Sequence, residues 1–179
     1  MLYAFKQQLK EVAKNRNEEF LGHIRSRVSS EKVDATAEAL RNLIVVMPDM
    51  IAQVQAWSND TRISSKEKKL HGFMLTYLYH PVDFLPESGK GLFGYLDDAY
   101  FVGSIYSRAM SLMDHDPRKG SPTLGPEAKN INEWLQITRD VIPNESQKID
   151  NLLGELVNGR LDVFDRMMAQ NEQEHQNVS

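Results

Sequence analysis

The chain has 179 residues, 41% of them hydrophobic and 26% charged, with a formal net charge of −4 and no cysteine. That length suits one domain with a proper core. The charge offers no global field for nucleic acid or an anionic membrane, and the missing thiols exclude disulfides, thiolate chemistry and cysteine-ligated zinc or iron–sulfur centres.

The first segment, MLYAFKQQLKEVAKNRNEEF, does not read as a secretory signal, because Lys6, Lys10 and Glu11 interrupt it before an apolar run develops. Leu2, Phe5, Leu9, Val12 and Ala13 are spaced by three and four, one face of a helix. The pattern continues through Phe20, Leu21, Ile24 and Val28, with residues 15–17 as a weak point. Ser30 is positioned to cap a second helix whose face is Val33, Ala37, Leu40, Leu43, Ile44 and Met47, ended by Pro48. A third, shorter helix covers Asp49 to Trp57, and the polar run SNDTRISS breaks the chain after it.

Ser64 followed by Glu67 is a capping box, opening a helix through Leu70, Phe73, Met74, Tyr77 and Leu78. After the loop HPVDFLPESGKG, a further helix runs from about Leu92 to Met113. A second loop, DHDPRKGSPTLGPE, precedes a helix that Pro126 can open, that carries Ile131, Trp134, Leu135 and Thr138, and that Pro143 closes. Asn144 with Gln147 suggests another cap, starting a long helix with Ile149, Leu152, Leu153, Leu156, Leu161, Phe164 and Met168 on one face. Gly159 weakens that helix locally. Residues 169–179, AQNEQEHQNVS, lack apolar periodicity and are expected to be disordered. No apolar run reaches the ~18 residues of a membrane span. A soluble cytoplasmic protein is the expectation.

Chemistry concentrates around the loop after residue 78. His80, Asp83, Glu87, Asp97 and Asp98 lie between and within two helical patterns. Hard cations such as Mg²⁺ or Ca²⁺ need several oxygen ligands, and a His-plus-carboxylate set also suits Mn²⁺ or iron. The competing reading gives the same acids structural work, bonding loop amides or favouring the positive end of a helix. Asp97 and Asp98 are neighbours, diverging by ~100° on a helix, so one is expected to face the loop and the other solvent or a basic partner.

Other motifs read as structure. SGKG lacks the GxxxxGK[ST] spacing and a preceding strand, so it reads as a turn with a solvated lysine. His23, His71 and His115 lack ligand spacing, and Ser104, Ser107 and Ser111 have no paired base. Lys66, Lys68 and Lys69 read as a solvated face, and Trp57 and Trp134 as core or interface anchors.

The run LTYLYHPVDFLPE followed by GYLDD resembles the YkvA-like family of bacterial domains of unknown function. The family hallmark is a helix ending in a Tyr-x-x-Ser-Pro-x-Asp-hydrophobic-x-Pro-Asp motif, a short turn, and Gly-Tyr-x-Asp-Asp opening the next helix. The matching positions are Tyr77, Pro81, Asp83, Leu85 and Pro86, then Gly94, Tyr95, Asp97 and Asp98. The resemblance spans about residues 70–110. His80 stands where the family has Ser, Glu87 replaces an Asp, and SGKGLF replaces a shorter, proline-containing turn. It implies a compact helical hairpin in which the acidic residues matter, and it implies no reaction. Relatives of the family often carry more apolar helices, which raises peripheral membrane contact, and the charges here argue against that.

The sequence thus describes an all-α protein: one compact helical domain over 1–168, of about six or seven helices, with a central hairpin over about 64–113. The function expected is a non-enzymatic interaction or regulatory module with a protein partner or self-association. The alternative is a divalent-metal-binding protein or small metal-dependent hydrolase using the acidic loop. The first and last helices are candidates for docking a partner.

Overall fold

A computed structural model describes residues 2–14, 18–61, 63–78, 84–85, 90–114, 129–160 and 162–176. Among these, every regular element is helical: α1 (Leu2–Lys14), α2 (Glu18–Arg25), a 3-10 turn (Ser30–Lys32), α3 (Val33–Ser58), α4 (Ser65–Leu78), a 3-10 turn (Gly91–Tyr95), α5 (Leu96–Asp114), α6 (Ile131–Val141), α7 (Pro143–Val157) and α8 (Asp162–Gln176). The all-α class therefore holds, with eight α-helices among the described residues against the six or seven expected. No helix is long and apolar enough to cross a membrane, among the described residues.

Two helices organise the rest. α3 packs against α1, α2, α4, α5 and α6, and α5 against α3, α4, α6 and α7. Burial follows the sequence pattern: α3 buries Ala37, Leu40, Leu43, Ile44, Met47, Ile51 and Val54 at helical spacing. From Leu96 to Val102, α5 is buried on all sides, as a helix enclosed by others must be. At Gly103 the approach of α5 and α6 is so close that a Cβ would sit 2.9 Å from Leu135 Cδ2.

Pro48 does not end a helix. It lies buried inside the continuous α3. Proline removes the amide that would bond the Ile44 carbonyl, a cost of ~3 kcal/mol. The buried Met47, Met50, Ile51 and Val54 around it supply more than that, since each buried apolar side chain contributes about 1.5–3 kcal/mol. Ser30 is not the expected cap either. It opens the 3-10 turn, and α3 begins behind Lys32 with no side-chain cap.

Pro143 starts α7 instead of merely closing α6. Its fixed φ and missing amide suit a first helical position. The break falls at Ile142, whose carbonyl accepts the Ser146 amide at 2.9 Å, so Asn144 is inside the helix and is no cap. The single long helix expected after it is two. Gly159 sits at φ +84°, its amide bonding Leu156 O at 3.0 Å while Arg160 N bonds Glu155 O at 3.1 Å. That pair of bonds is the Schellman arrangement that closes helices on a left-handed residue. Nothing lies within 4 Å of a Cβ built there, so substitution strains the backbone alone. Gly159→Ala is expected to cost about 1–2 kcal/mol, and Gly159→Asn less, since Asn tolerates this region. Urea unfolding measures both; equal stability for all three proteins contradicts the assignment.

The tail also differs from expectation. α8 runs to Gln176, eight residues past Met168, because the stretch holds no proline or glycine and several good helix formers.

Candidate functional site

α4 and α5 run antiparallel to each other as a helical hairpin. Tyr77, late in α4, meets Asp97 and Phe101, early in α5, while Glu67, early in α4, meets Arg108, late in α5. The Ser64 hydroxyl accepts the Glu67 amide at 3.2 Å, one half of the expected capping box. The other half is spent elsewhere. The Glu67 carboxylate accepts from Arg108 Nη2 at 2.8 Å and Nε at 3.3 Å, a two-pronged pair that ties α4 to α5.

At the other end of the hairpin stands Asp97, fully buried. Its Oδ2 accepts the Tyr77 hydroxyl at 3.0 Å and the Leu85 backbone amide at 2.9 Å. Oδ2 of this carboxylate is thus turned toward a loop amide and the preceding helix. Tyr77 is packed between Phe101, with ring centroids 4.4 Å apart, and Phe84, at 5.9 Å. Asp98 is buried as well, so of the two environments expected for the second acid, solvent or a basic partner, solvent is excluded. Both acids lie in the first turn of α5, where the helix dipole favours negative charge. His80, Asp83 and Glu87 lie outside the described residues. Among the described residues, no three His, Asp or Glu side chains converge as metal ligands do.

His71 is a buried packing residue, 4% exposed. Its Nδ1 lies 2.5 Å from Ser58 Oγ, and that hydroxyl also reaches Val54 O at 2.9 Å. With the hydroxyl hydrogen given to Val54, the imidazole carries its proton on Nδ1, and Nε2 is a buried lone pair with no partner. Burial lowers the His71 pKa below its ordinary value, and the Glu67 charge one turn earlier opposes this in part. His23 stacks on Phe93 with centroids 4.7 Å apart. Trp57 stacks on Tyr106 at 5.4 Å, and Trp134 is buried, so both tryptophans anchor the core. Lys66, Lys68 and Lys69 are exposed.

Two features had no clear signal in sequence. Tyr100, on α5, donates to Asp150 Oδ1 at 2.8 Å, and Arg139 Nη2 donates to Asp150 Oδ2 at 3.2 Å. Burial, then the Asp150 bond, pushes the Tyr100 pKa up to about 12, so the phenol is a fixed donor joining α5 to α7. The second is a groove of about 260 Å³ between α1, α3 and α4, lined by Leu2, Phe5, Ile51, Leu75, Leu78 and, at its edge, Gln8. Beside it Tyr3 stands 76% exposed. The apolar spacing of α1 and α4 marked Leu2, Phe5 and Leu78 as inward-facing, but not that the inward face would stay partly open. No protein-family model, curated protein or solved structure matches the chain.

Proposed function

We propose that this chain is a non-enzymatic helical interaction module, built on a hairpin of the YkvA-like kind, and that it docks a second copy of itself through α1. The observation that carries the reading is the open apolar groove between α1, α3 and α4, with the exposed Tyr3 on the same helix. A two-fold pairing is self-complementary, so Tyr3 of each copy can enter the groove of the other. The ring supplies apolar area to Phe5, Leu75 and Leu78 and keeps its hydroxyl at the wet rim. Lys6, bonded to Asp49 at 2.6 Å, holds α1 on α3 and keeps the groove walls fixed.

Sedimentation velocity from low to high micromolar concentration tests it. The wild-type protein is expected to dimerise, and Tyr3→Lys and Leu75→Lys to shift it to monomer by at least tenfold in dissociation constant. A wild-type monomer throughout that range overturns self-docking. The metal alternative runs through His80, Asp83, Glu87, Asp97 and Asp98, and there Asp97 Oδ2 already accepts two hydrogen bonds. A melting temperature unmoved by Mg²⁺, Mn²⁺ or Zn²⁺ removes it.

A further inference from the structure

We infer that the cleft between the α2–α3 connection and the C-terminal half of α6 binds a small phosphate monoester. The cleft is independent of the α1 groove. It measures about 460 Å³, within the range of ordinary small-molecule sites. Its make-up is that of such a site, an apolar floor with few polar groups. Val28, Ile137 and Val141 form the floor, and Arg27, Lys32 and Asp140 stand around it.

Arg27 is already held in place. Its Nη1 donates to His23 O at 2.8 Å and to Ser26 Oγ at 3.0 Å, and its guanidinium lies 4.9 Å from the centre of the Phe93 ring. These contacts fix the plane while leaving Nε and Nη2 for an anion, and a pre-set guanidinium loses less entropy on binding. Among the described residues, neither Arg27 nor Lys32 pairs with a carboxylate. Their charge is available to a ligand.

An independent observation comes from Thr36. It lines the cleft while only 7% exposed. Thr76 and Thr138 bond the carbonyls four residues back; Thr36 makes no such bond and has no other partner among the described residues. Its oxygen keeps some exposure, so the hydroxyl can donate to a ligand oxygen in the cleft. The entry to α3 has no side-chain cap at Ser29 or Lys32, and Asp34 in its first turn already offsets part of the positive end of the helix. Two cations and a hydroxyl donor suit a phosphate dianion better than a carboxylate. Asp140, engaged by Gln136 Nε2 at 3.2 Å, faces the cleft from α6 and accepts a hydroxyl or amine on the ligand body. Val28, Ile137 and Val141 take its apolar part.

Isothermal titration of the full chain with phenyl phosphate, at fixed ionic strength, tests the inference. Saturable one-to-one binding is expected, with inorganic phosphate several-fold weaker for want of the ring. Lys32→Gln and Arg27→Gln should each weaken phenyl phosphate at least fivefold, and Thr36→Val about threefold. Lys32 is exposed, so Lys32→Gln should melt with the wild type, which separates lost binding from lost folding. Binding absent, or unchanged in Lys32→Gln, overturns the site. So do amide shift changes on titration that fall away from residues 27–36 and 137–141.

Discussion

Replacing Asp97 by alanine is expected to remove about 3–5 kcal/mol of stability, the cost of stranding two buried donors at once. The Tyr77 hydroxyl and the Leu85 amide both point at Oδ2, and the carboxylate they share is fully buried. Each orphaned donor costs ~1–3 kcal/mol, and domains of this size hold only about 5–15 kcal/mol in all. Asp97→Asn retains one acceptor oxygen and should lose less, and Tyr77→Phe should cost about 1 kcal/mol, having removed donor and demand together. A double-mutant cycle between Tyr77→Phe and Asp97→Asn, read by urea unfolding at constant m-value, isolates the bond. The structural role makes the two substitutions non-additive. If Asp97→Ala unfolds within 1 kcal/mol of wild type, Asp97 does not hold the hairpin, and a ligand role regains the ground.

The hairpin shows how far sequence reached. Apolar spacing placed Leu70, Met74 and Tyr77 on one face of α4, and all three are buried, because burial is what that spacing encodes. The Ser64–Glu67 pair announced a helix start correctly, yet half of the motif was diverted: a carboxylate near Arg108 gains more from a guanidinium than from its own backbone amide. Local rules also misjudged Pro48, which breaks a helix only where packing does not compensate. Gly159 was noticed as a weak point, but its left-handed turn depends on bonds from two amides that no spacing pattern reveals. The structural bond of Asp97 Oδ2 is made to an amide twelve residues away, at Leu85. The α1 groove and the α6 cleft are concavities between elements distant in sequence, and only their assembly makes them visible.

Arg108→Ala is expected to cost about 2 kcal/mol near pH 7.5, and less as the solution is acidified. The side chain of Glu67 is 11% exposed and that of Arg108 41%. The pair therefore lies between surface bridges, worth about 0–1 kcal/mol, and fully buried ones, whose breaking costs about 3–5 kcal/mol. Its pH dependence comes from His71, one turn further along α4. The folded His71 pKa is lowered by burial below the ordinary 6.5, so the unfolded chain takes up the proton first. Stability from the neutral imidazole is complete above about pH 6.5 and drains as the pH falls toward the folded value, by at most ~1.4 kcal/mol per pH unit. In wild type Arg108 neutralises Glu67, and protonation at Nε2 finds no acceptor. Without Arg108 the bare Glu67 carboxylate favours the imidazolium, so the variant loses less on acidification and the two stability curves converge toward pH 5. His71→Asn keeps a donor toward Ser58 Oγ but cannot titrate there, and should remove this part of the acid sensitivity from both proteins. Urea unfolding at pH 8, 6.5 and 5 decides the matter: an Arg108→Ala penalty constant across that range would show that His71 and the Glu67–Arg108 pair are not coupled.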